Sequence, residues 1–342
     1  MTIIIFIIIL GLIVFIHELG HFIFAKKAGV YVYEFSIGFG PKLFSFKRKN
    51  DETEYMIKLI PLGGYVAMAG EEDIDEDKKI PENQKLYNKT WLQRLSVMIA
   101  GVMNNFILGI VLLFIMGLIY GTTFASNVLY DIPKDGNLYK AGVRNGDVVT
   151  KINGHKTNNY DDIQTYIALA KEKDKKAEIN ITINDDKTYK IKPTKEKDGN
   201  YYYGIGVKIE VKKGLMPALI FAKDKFISIY KSLIIVIKSL FTGDLGIDSV
   251  SGPVGIYTVV DTAKSSMQML LYLTAYLSIN IGFMNLLPFP AFDGGRVLFL
   301  IIEKIKGSRI NSKVETNINL VGFMLLMGLM ILVTIKDIIK LF

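Results

Sequence analysis

Two histidines and a glutamate lie inside a strongly apolar stretch near the start of the chain, in the order H-E-x-x-H. They are His17, Glu18 and His21, and no charged residue occurs between positions 2 and 16. Residues four apart in a helix lie on one face, so both imidazoles can bind one zinc ion, with Glu18 as a base toward its water. Ionisable side chains are costly at membrane depth and are therefore expected to be functional. The pattern predicts a zinc peptidase whose active site lies within lipid.

A catalytic zinc ion normally has three protein ligands and one open position, so a third ligand must come from elsewhere. Cysteine is absent, and the remaining histidine, His155, lies in a polar segment that we expect on the outer face of the membrane, away from His17. Asp293 is the leading candidate, because two prolines and two glycines break the helix around it, within residues 285–295. Broken backbone at that depth is tolerated where it is buried in protein or lines a wet cavity, as a metal site requires.

Four polar residues near this predicted site have structural alternatives. Asp293 could instead cap the helix that follows it. Asn285 is either a buried structural amide or a residue that hydrogen-bonds a substrate backbone. Asn104 and Asn105, within the second apolar stretch, are interpreted as helix–helix contacts rather than catalytic groups.

The composition is that of an integral membrane protein. Of 342 residues, 50% are hydrophobic, and the mean hydropathy is +0.31, which is too apolar for an ordinary soluble enzyme. The net charge of +8 could suggest nucleic acid as a partner, but many lysines flank apolar segments, which favours a lipid bilayer and argues against nucleic acid. Without cysteine, disulfides and thiolate metal ligands are excluded.

Four apolar stretches are long enough to span a bilayer. The first runs from residue 1 to residue 28 and lacks both a basic leader and a cleavage site, so we expect a retained helix rather than a signal peptide. The others are residues 95–120, 267–292 and 316–335. Lysine and arginine are concentrated in the short connections after the first and third stretches, which predicts that both connections are cytoplasmic and both termini lie outside.

The intervening segments suggest two further kinds of structure. Residues 30–66 read as β structure, with a break at residues 38–41 and a hairpin at residues 42–60. This region either offers an open edge to an extended substrate or is a cytoplasmic hairpin with no catalytic part. A charged loop follows at residues 71–89. Residues 126–212 have the composition of one small soluble α+β domain.

Taken together, these motifs resemble the site-2 protease family of intramembrane zinc metalloproteases, in particular its bacterial branch with a PDZ domain. The zinc motif and the N-x-x-P-x-P-x-L-D-G-G motif are matched in order, and the resemblance spans nearly the whole chain. The segments that carry it are residues 17–21, 35–40, 61–66, 141–149, 152–154, 251–256 and 285–295. The chain departs from the family pattern at Phe292, where leucine is usual, and at Val102, where proline often follows the glycine; only one PDZ-like unit is visible.

The resemblance implies a polytopic α-helical membrane protein with four transmembrane helices, a membrane-associated β region and one inserted PDZ-like α+β domain. The implied segments are a first transmembrane helix with the zinc motif (1–28), a β hairpin region and charged loop (29–94), a second helix (95–120), the PDZ-like domain (126–212), an amphipathic interfacial helical segment (213–266), a third helix with the aspartate motif (267–295), and a cytoplasmic connection with the fourth helix (296–342). The protein would lie in the cell's inner membrane, with its active site toward the cytoplasm and the PDZ-like domain on the outer face.

The resemblance also assigns roles to residues. His17, His21 and Asp293 would bind one Zn²⁺ per chain, and Glu18 would be general base and acid. Asn285 would help to hold the substrate strand. We hypothesise in addition that the β edge near Gly38, Gly40 and Tyr65 binds the unwound substrate by strand pairing. The implied substrates are single-span membrane proteins such as anti-sigma factors, and remnant signal peptides. The PDZ-like domain would gate or dock substrates, or serve only as a structural cap.

Two other functions compete with proteolysis. An inactive relative could use the PDZ-like domain and the β region as a scaffold that holds membrane partners, although nothing in a scaffold requires the ligands and Glu18 together. A metal transporter would carry polar residues through several spans, whereas residues 107–118 and 320–333 are almost wholly apolar. Of the three, an active protease agrees best with the sequence.

Overall fold

The computed structural model describes residues 1–71, 75–195, 199–246 and 249–339, the side chains of residues 61, 62, 75 and 76 excepted. The chain divides into two compact units. The first consists of Met1–Leu112 and Ser251–Phe342, and the second of Leu113–Val250.

Long apolar helices dominate the first unit. Helix α1 (Thr2–Lys27) carries the H-E-x-x-H motif, and β1 (Val32–Lys47) and β2 (Glu54–Met68) follow it. Three short 3-10 helices (Asp75–Lys79, Glu82–Gln84 and Leu86–Asn88) lead to α2 (Trp91–Tyr120), which runs on into the second unit. The described part of the charged loop expected at residues 71–89 thus contains three short helices, and residues 72–74 lie outside the described residues.

The strands β1 and β2 are long, bent and paired twice. Residues 32–37 of β1 pair on one side with residues 64–68 of β2 and on the other with residues 54–57. Residues 54–57 also pair with residues 44–47. The two strands thus form four antiparallel rows, whose outer rows are residues 64–68 and 42–47. The sequence suggested a separate first strand and a hairpin, whereas the bend at Gly38 and Gly40, both with positive φ, keeps β1 continuous.

The second unit is a small α+β domain with helical flanks. Its strands are β3 (Thr122–Leu129), β4 (Val149–Ile152), β5 (His155–Lys156), β6 (Ile179–Ile183), β7 (Lys187–Ile191), β8 (Thr194–Lys195), β9 (Tyr201–Tyr202) and β10 (Val207–Lys212), and its helices are α3 (Asn137–Lys140), α4 (Tyr160–Lys173) and α5 (Leu215–Phe241). The sheet has the order β5-β4-β6-β7, while β10 pairs with β3 and β8 with β9. Its core is built from buried aliphatic residues of these strands and α4, among them Leu129, Ile152, Ile163 and Ile181.

The chain returns to the first unit through four more helices. These are α6 (Pro253–Ala263), α7 (Met267–Leu286), α8 (Asp293–Lys306) and α9 (Ser312–Ile339). Buried residues of α1, α6 and α7 form one apolar core, with Ile13 and Val260 fully buried. Another core packs β1 and β2 against the end of α1 and includes Ala25 and Val32.

Four helices, α1, α2, α7 and α9, are long and apolar enough to cross a membrane, as the sequence predicts. Their bounds differ from expectation. Helix α2 begins four residues earlier, at Trp91, and α9 runs from Ser312 to Ile339 rather than from 316 to 335. The third helix ends at Leu286, so Asp293 does not belong to it but starts α8. The two prolines between them stop α7, because each removes a backbone donor.

Candidate metal centre

The two histidines of α1 lie where α1 and α2 are in close contact. His17 and His21 are both buried, with relative exposures of 8% each. The approach requires glycine on both helices: a Cβ on Gly20 would overlap the backbone of Ala100, and one on Gly101 would lie 2.7 Å from His17 Cε1. The sequence therefore keeps side chains out of the contact so that both imidazoles fit against α2.

Asp293 reaches the same point from a different helix. The turn after α7 folds back on itself, with Phe289 N donating to Leu287 O (2.7 Å) and Phe292 N to Phe289 O (3.2 Å). Asp293 is the first residue of α8, where no side chain caps the helix. Its Oδ2 lies 3.1 Å from His17 Nε2 and 3.3 Å from His21 Nε2. The carboxylate is thus turned toward the imidazoles rather than capping α8.

The three side chains fit a metal ion. The two Nε2 atoms lie 3.2 Å apart, so the three candidate ligand atoms form a nearly equilateral triangle. Ligands at about 2.0–2.2 Å from a tetrahedral zinc ion are separated by roughly 3.3–3.5 Å. Asp293 Oδ2 is buried without a hydrogen-bond partner among the described residues, which is costly unless a cation binds it. Within the described part of the chain this is the group of histidines and carboxylates that could hold a metal ion.

Partners on α2 orient both imidazoles. His21 Nδ1 lies 2.8 Å from Val97 O, which can only accept, so Nδ1 carries the proton and Nε2 presents its lone pair to the site. The Asn105 amide lies 3.2 Å from His17 Nδ1, and the Asn105 oxygen has no other partner among the described residues. With the amide turned so that this oxygen accepts from Nδ1, His17 also presents Nε2 as a ligand.

The electrostatics of the site favour a cation. Glu18 is half-buried and interacts electrostatically with His21, His17 and Asp293. Two carboxylates and two imidazoles thus meet at one point, with Glu18 beside the triangle rather than in it.

A cavity of about 340 Å³ opens onto His21 and Asp293. Its wall is rich in charged residues, and Arg296, one turn after Asp293, is ion-paired with Glu71, which raises the pKa of the guanidinium above its usual range. Arg94 pairs with Glu303 at 2.6 Å. Because several charged side chains line the cavity and its volume exceeds that of several water molecules, water can reach the metal-facing side chains.

The other expected site residues lie at different distances from this centre. Tyr65 is in the outer row of residues 64–68, its hydroxyl bonded to Glu34, while Gly38 and Gly40 lie at the bend of β1. Asn285 is half-buried in the last turn of α7. His155 lies in the second unit, exposed and stacked on Tyr166 at 4.7 Å, and takes no part in the group of three.

Sequence reasoning missed two residues of α2. Asn104 does link helices, since its amide donates to Ile16 O at 3.1 Å, but Asn105 contacts the imidazole of His17 itself. Gly101 admits both imidazoles. The sequence feature that could have pointed to these residues is a glycine followed by two asparagines within an otherwise apolar span.

Comparison with known proteins agrees with this centre. The family model described as peptidase family M50 matches residues 5–329. The regulator of sigma-W protease RasP of Bacillus subtilis is 34% identical over 423 aligned positions, covering 100% of this chain and 99% of the relative. The zinc metalloprotease RasP of Bacillus licheniformis is 34% identical with coverages of 100% and 99%, and that of Shouchella clausii is 33% identical with coverages of 91% and 92%.

The similarity covers at least nine-tenths of each of these relatives, and two of them are named as zinc metalloproteases. The apolar helices mark this chain as a membrane protein, and its His-His-Asp group suits the same metal. The chain therefore belongs to peptidase family M50, the site-2 protease family, and is a zinc metalloprotease.

Proposed function

We propose that this metalloprotease cleaves peptide bonds inside the transmembrane segments of single-span membrane proteins, with anti-sigma factors as the leading substrate class and remnant signal peptides as a second. One observation carries the proposal: His17 and His21 lie on a 26-residue apolar helix, and Asp293, at the start of α8, meets them there. A hydrolytic site on a membrane-spanning helix acts on a polypeptide that is itself in the membrane. One relative is named as a regulator of sigma-W, which supports the substrate class.

The chain's own residues divide the chemistry among them. His17, His21 and Asp293 would hold the zinc ion, which supplies a Lewis acid that polarises the scissile carbonyl and lowers the pKa of a water molecule. Glu18 accepts a proton from the attacking water and then delivers it to the leaving amine. Asn105 and Val97 hold the imidazoles in the required tautomers.

The substrate binds as an added strand along residues 64–68. This row is paired with β1 on one side, and no described strand pairs with its other side. A Cβ on Gly64 would lie 3.2 Å from Glu18 Cγ, so the row begins beside the proposed base. A transmembrane helix must unwind before its peptide bonds are accessible, and pairing with this edge replaces the lost backbone hydrogen bonds. Tyr65 lies in the edge, Gly38 and Gly40 shape the bend behind it, and Asn285 holds the substrate strand from α7.

A proline in this edge tests the strand model. Tyr65→Pro removes a backbone donor from the edge, so we expect cleavage of a single-span substrate to fall at least tenfold while zinc content stays unchanged. Phe44→Pro in the opposite outer row, residues 42–47, is the matched control and should cleave normally. Full activity in Tyr65→Pro would contradict strand addition at this edge.

The second unit is proposed to contain a PDZ-like domain, residues 126–212, on the outer face of the membrane, with the metal centre toward the cytoplasm. The four-stranded sheet with α4 supports a small domain of this kind. The basic residues in the connections after α1 and α7 support the orientation. We propose that this domain contacts substrates by docking or gating.

Glu18→Gln tests the enzymatic role directly. Glutamine has nearly the same shape as glutamate, but its amide cannot take a proton. Cleavage of a model single-span substrate should therefore fall by roughly 10²–10⁴-fold. Zinc content should remain that of the wild type, because Glu18 is not in the ligand triangle. If the Glu18→Gln protein still fulfils its function in cells, the protein would instead be an inactive scaffold that holds membrane partners.

A further inference from the structure

The segment that delivers Asp293 is held in a strained conformation. Ala291, two residues before Asp293, has a φ of 75°, a left-handed conformation that is unfavourable for a non-glycine residue. On its α8 side the turn is packed tightly, since a Cβ on Gly295 would lie 2.9 Å from Phe289 C. Such a turn persists only when its surroundings hold it in place.

The opposite side of the turn is held by α9. Asn319 Oδ1 accepts a hydrogen bond from Ala291 N at 3.3 Å. One turn further along α9, Gly322 lies directly against Pro290, because a Cβ there would be 2.8 Å from Pro290 O. Asn319 also lies in the wall of the cavity that contains Asp293. Asn319 of α9 thus contacts Ala291, and Gly322 of α9 contacts Pro290.

A second contact of α9 lies at its far end, where Asp337 Oδ2 accepts hydrogen bonds from Gly252 N and Gly255 N at 2.8 and 2.9 Å. Only 11% of the most apolar window of α9 is buried, the smallest share of the four candidate spans. An amide in such a helix needs a specific partner, since an unpaired polar group in an apolar environment is costly. For Asn319 that partner is the backbone N–H of Ala291, which ties α9 to the turn before Asp293.

We propose that Asn319 is a positioning residue for the metal ligand Asp293, acting through the backbone of Ala291, with Gly322 allowing the approach. The proposal rests on the proposed metal site. In this proposal α9, the fourth candidate membrane span, determines the position of the Asp293 carboxylate relative to the imidazoles of α1. Without the bond the turn relaxes and Asp293 Oδ2 leaves the triangle.

Asn319→Leu, Asn319→Asp and Asn317→Leu form a matched set. Leucine removes the acceptor at nearly constant size, whereas aspartate keeps an oxygen that can accept from Ala291 N. Asn317 lies two residues earlier on the same helix and is exposed, so Asn317→Leu makes the same chemical change away from the turn. Gly322→Ala perturbs the same contact independently, by pushing on Pro290.

Three measurements on the purified full-length chain test the inference: zinc affinity, the visible absorption of the cobalt(II)-substituted protein, and kcat and KM for a single-span substrate. We expect Asn319→Leu and Gly322→Ala to weaken zinc binding by about 10–100-fold, the range typical of residues that orient metal ligands. The cobalt bands should shift, since they report ligand geometry, and kcat should fall with little change in KM. Asn319→Asp and Asn317→Leu should match the wild type in all three.

Two results would overturn the inference while leaving the metal site standing. One is an Asn319→Leu protein with the zinc affinity and cobalt spectrum of Asn317→Leu. The other is an Asn319→Asp protein as defective as Asn319→Leu, which would show that the acceptor oxygen is not what matters. A wild-type protein that binds no zinc would overturn the proposed metal site, and this inference with it.

Discussion

The imidazoles of His17 and His21 are oriented by the neighbouring helix rather than by their own. A backbone carbonyl fixes the tautomer of His21 and a side-chain amide that of His17, through a contact between residues 88 positions apart. Partners of this kind set both the direction and the basicity of a ligand lone pair. The carbonyl of Val97 cannot be removed by substitution, but the amide of Asn105 can.

Asn105→Leu should therefore weaken zinc binding by about 10–100-fold, because His17 loses the acceptor that fixes its tautomer. Titration of the purified protein with a zinc chelator measures the affinity. Asn104→Leu is the control: it removes the bond to Ile16 O between the same two helices, so it should lower thermal stability but leave zinc affinity within about threefold. Equal affinities in the two variants would contradict the assigned role of Asn105.

Part of the site could be predicted from sequence and part could not. His17, Glu18 and His21 follow from helical spacing, and Asp293 follows from the prolines and glycines that break the helix around it. Asn105 and Asn319 do not follow from any local pattern. Their roles depend on which face of α2 meets α1 and which face of α9 meets the turn before α8, and both contacts join residues far apart in the chain.

Among the elements, the β region differs most from its sequence-based expectation. Local pattern predicted short strands separated by breaks, whereas positive-φ glycines let β1 bend and pair on both sides. The tip of the region exposes large apolar side chains, among them Leu43, Phe44 and Leu59. Its base is tied to α1, since Lys26 Nζ donates to Asp51 Oδ1 at 2.8 Å.

Asp51 gives this tie a measurable pH dependence. The hydrogen bond from Lys26, followed by those from Thr53 N and Tyr55 Oη, holds the pKa of Asp51 below its usual range despite some burial. A carboxyl with a lowered folded-state pKa stabilises the protein fully above its unfolded pKa of about 3.9, and the contribution is lost as the pH falls through the folded value.

Asp51→Asn should accordingly destabilise the protein at pH 7 by about 0.5–1 kcal/mol, since the pair is partly exposed. The difference in melting temperature between wild type and variant should shrink below pH 4. Thermal unfolding in detergent across pH 3–7 measures this. A difference that stays constant to pH 3 would mean that uncharged contacts, not the ion pair, account for the effect.

For the molecule as a whole, the four spans and their basic flanks are the part most securely predicted from sequence, because lipid demands long apolar helices. The helix ends were less predictable: Trp91 and Ser312 begin their helices within polar sequence that hydropathy alone does not mark. The proposed orientation places the connection between α8 and α9 in the cytoplasm and the second unit outside.

The absence of native cysteine makes that orientation easy to test. Ser308→Cys and Lys175→Cys place single thiols at exposed positions in the first and second unit, respectively. In intact cells a membrane-impermeant maleimide should label Lys175→Cys, and it should label Ser308→Cys only after permeabilisation. The reverse pattern would show that the protein has the opposite orientation.

The most direct test of the central claim is the zinc content of the purified wild-type protein and of Asp293→Ala, with the zinc environment read by X-ray absorption. We predict one zinc ion per wild-type chain, bound by two imidazole nitrogens and oxygen at about 2.0–2.2 Å. Asp293→Ala should lose most of the metal while its helices remain folded. Stoichiometric zinc with an unchanged absorption spectrum in Asp293→Ala would contradict the account.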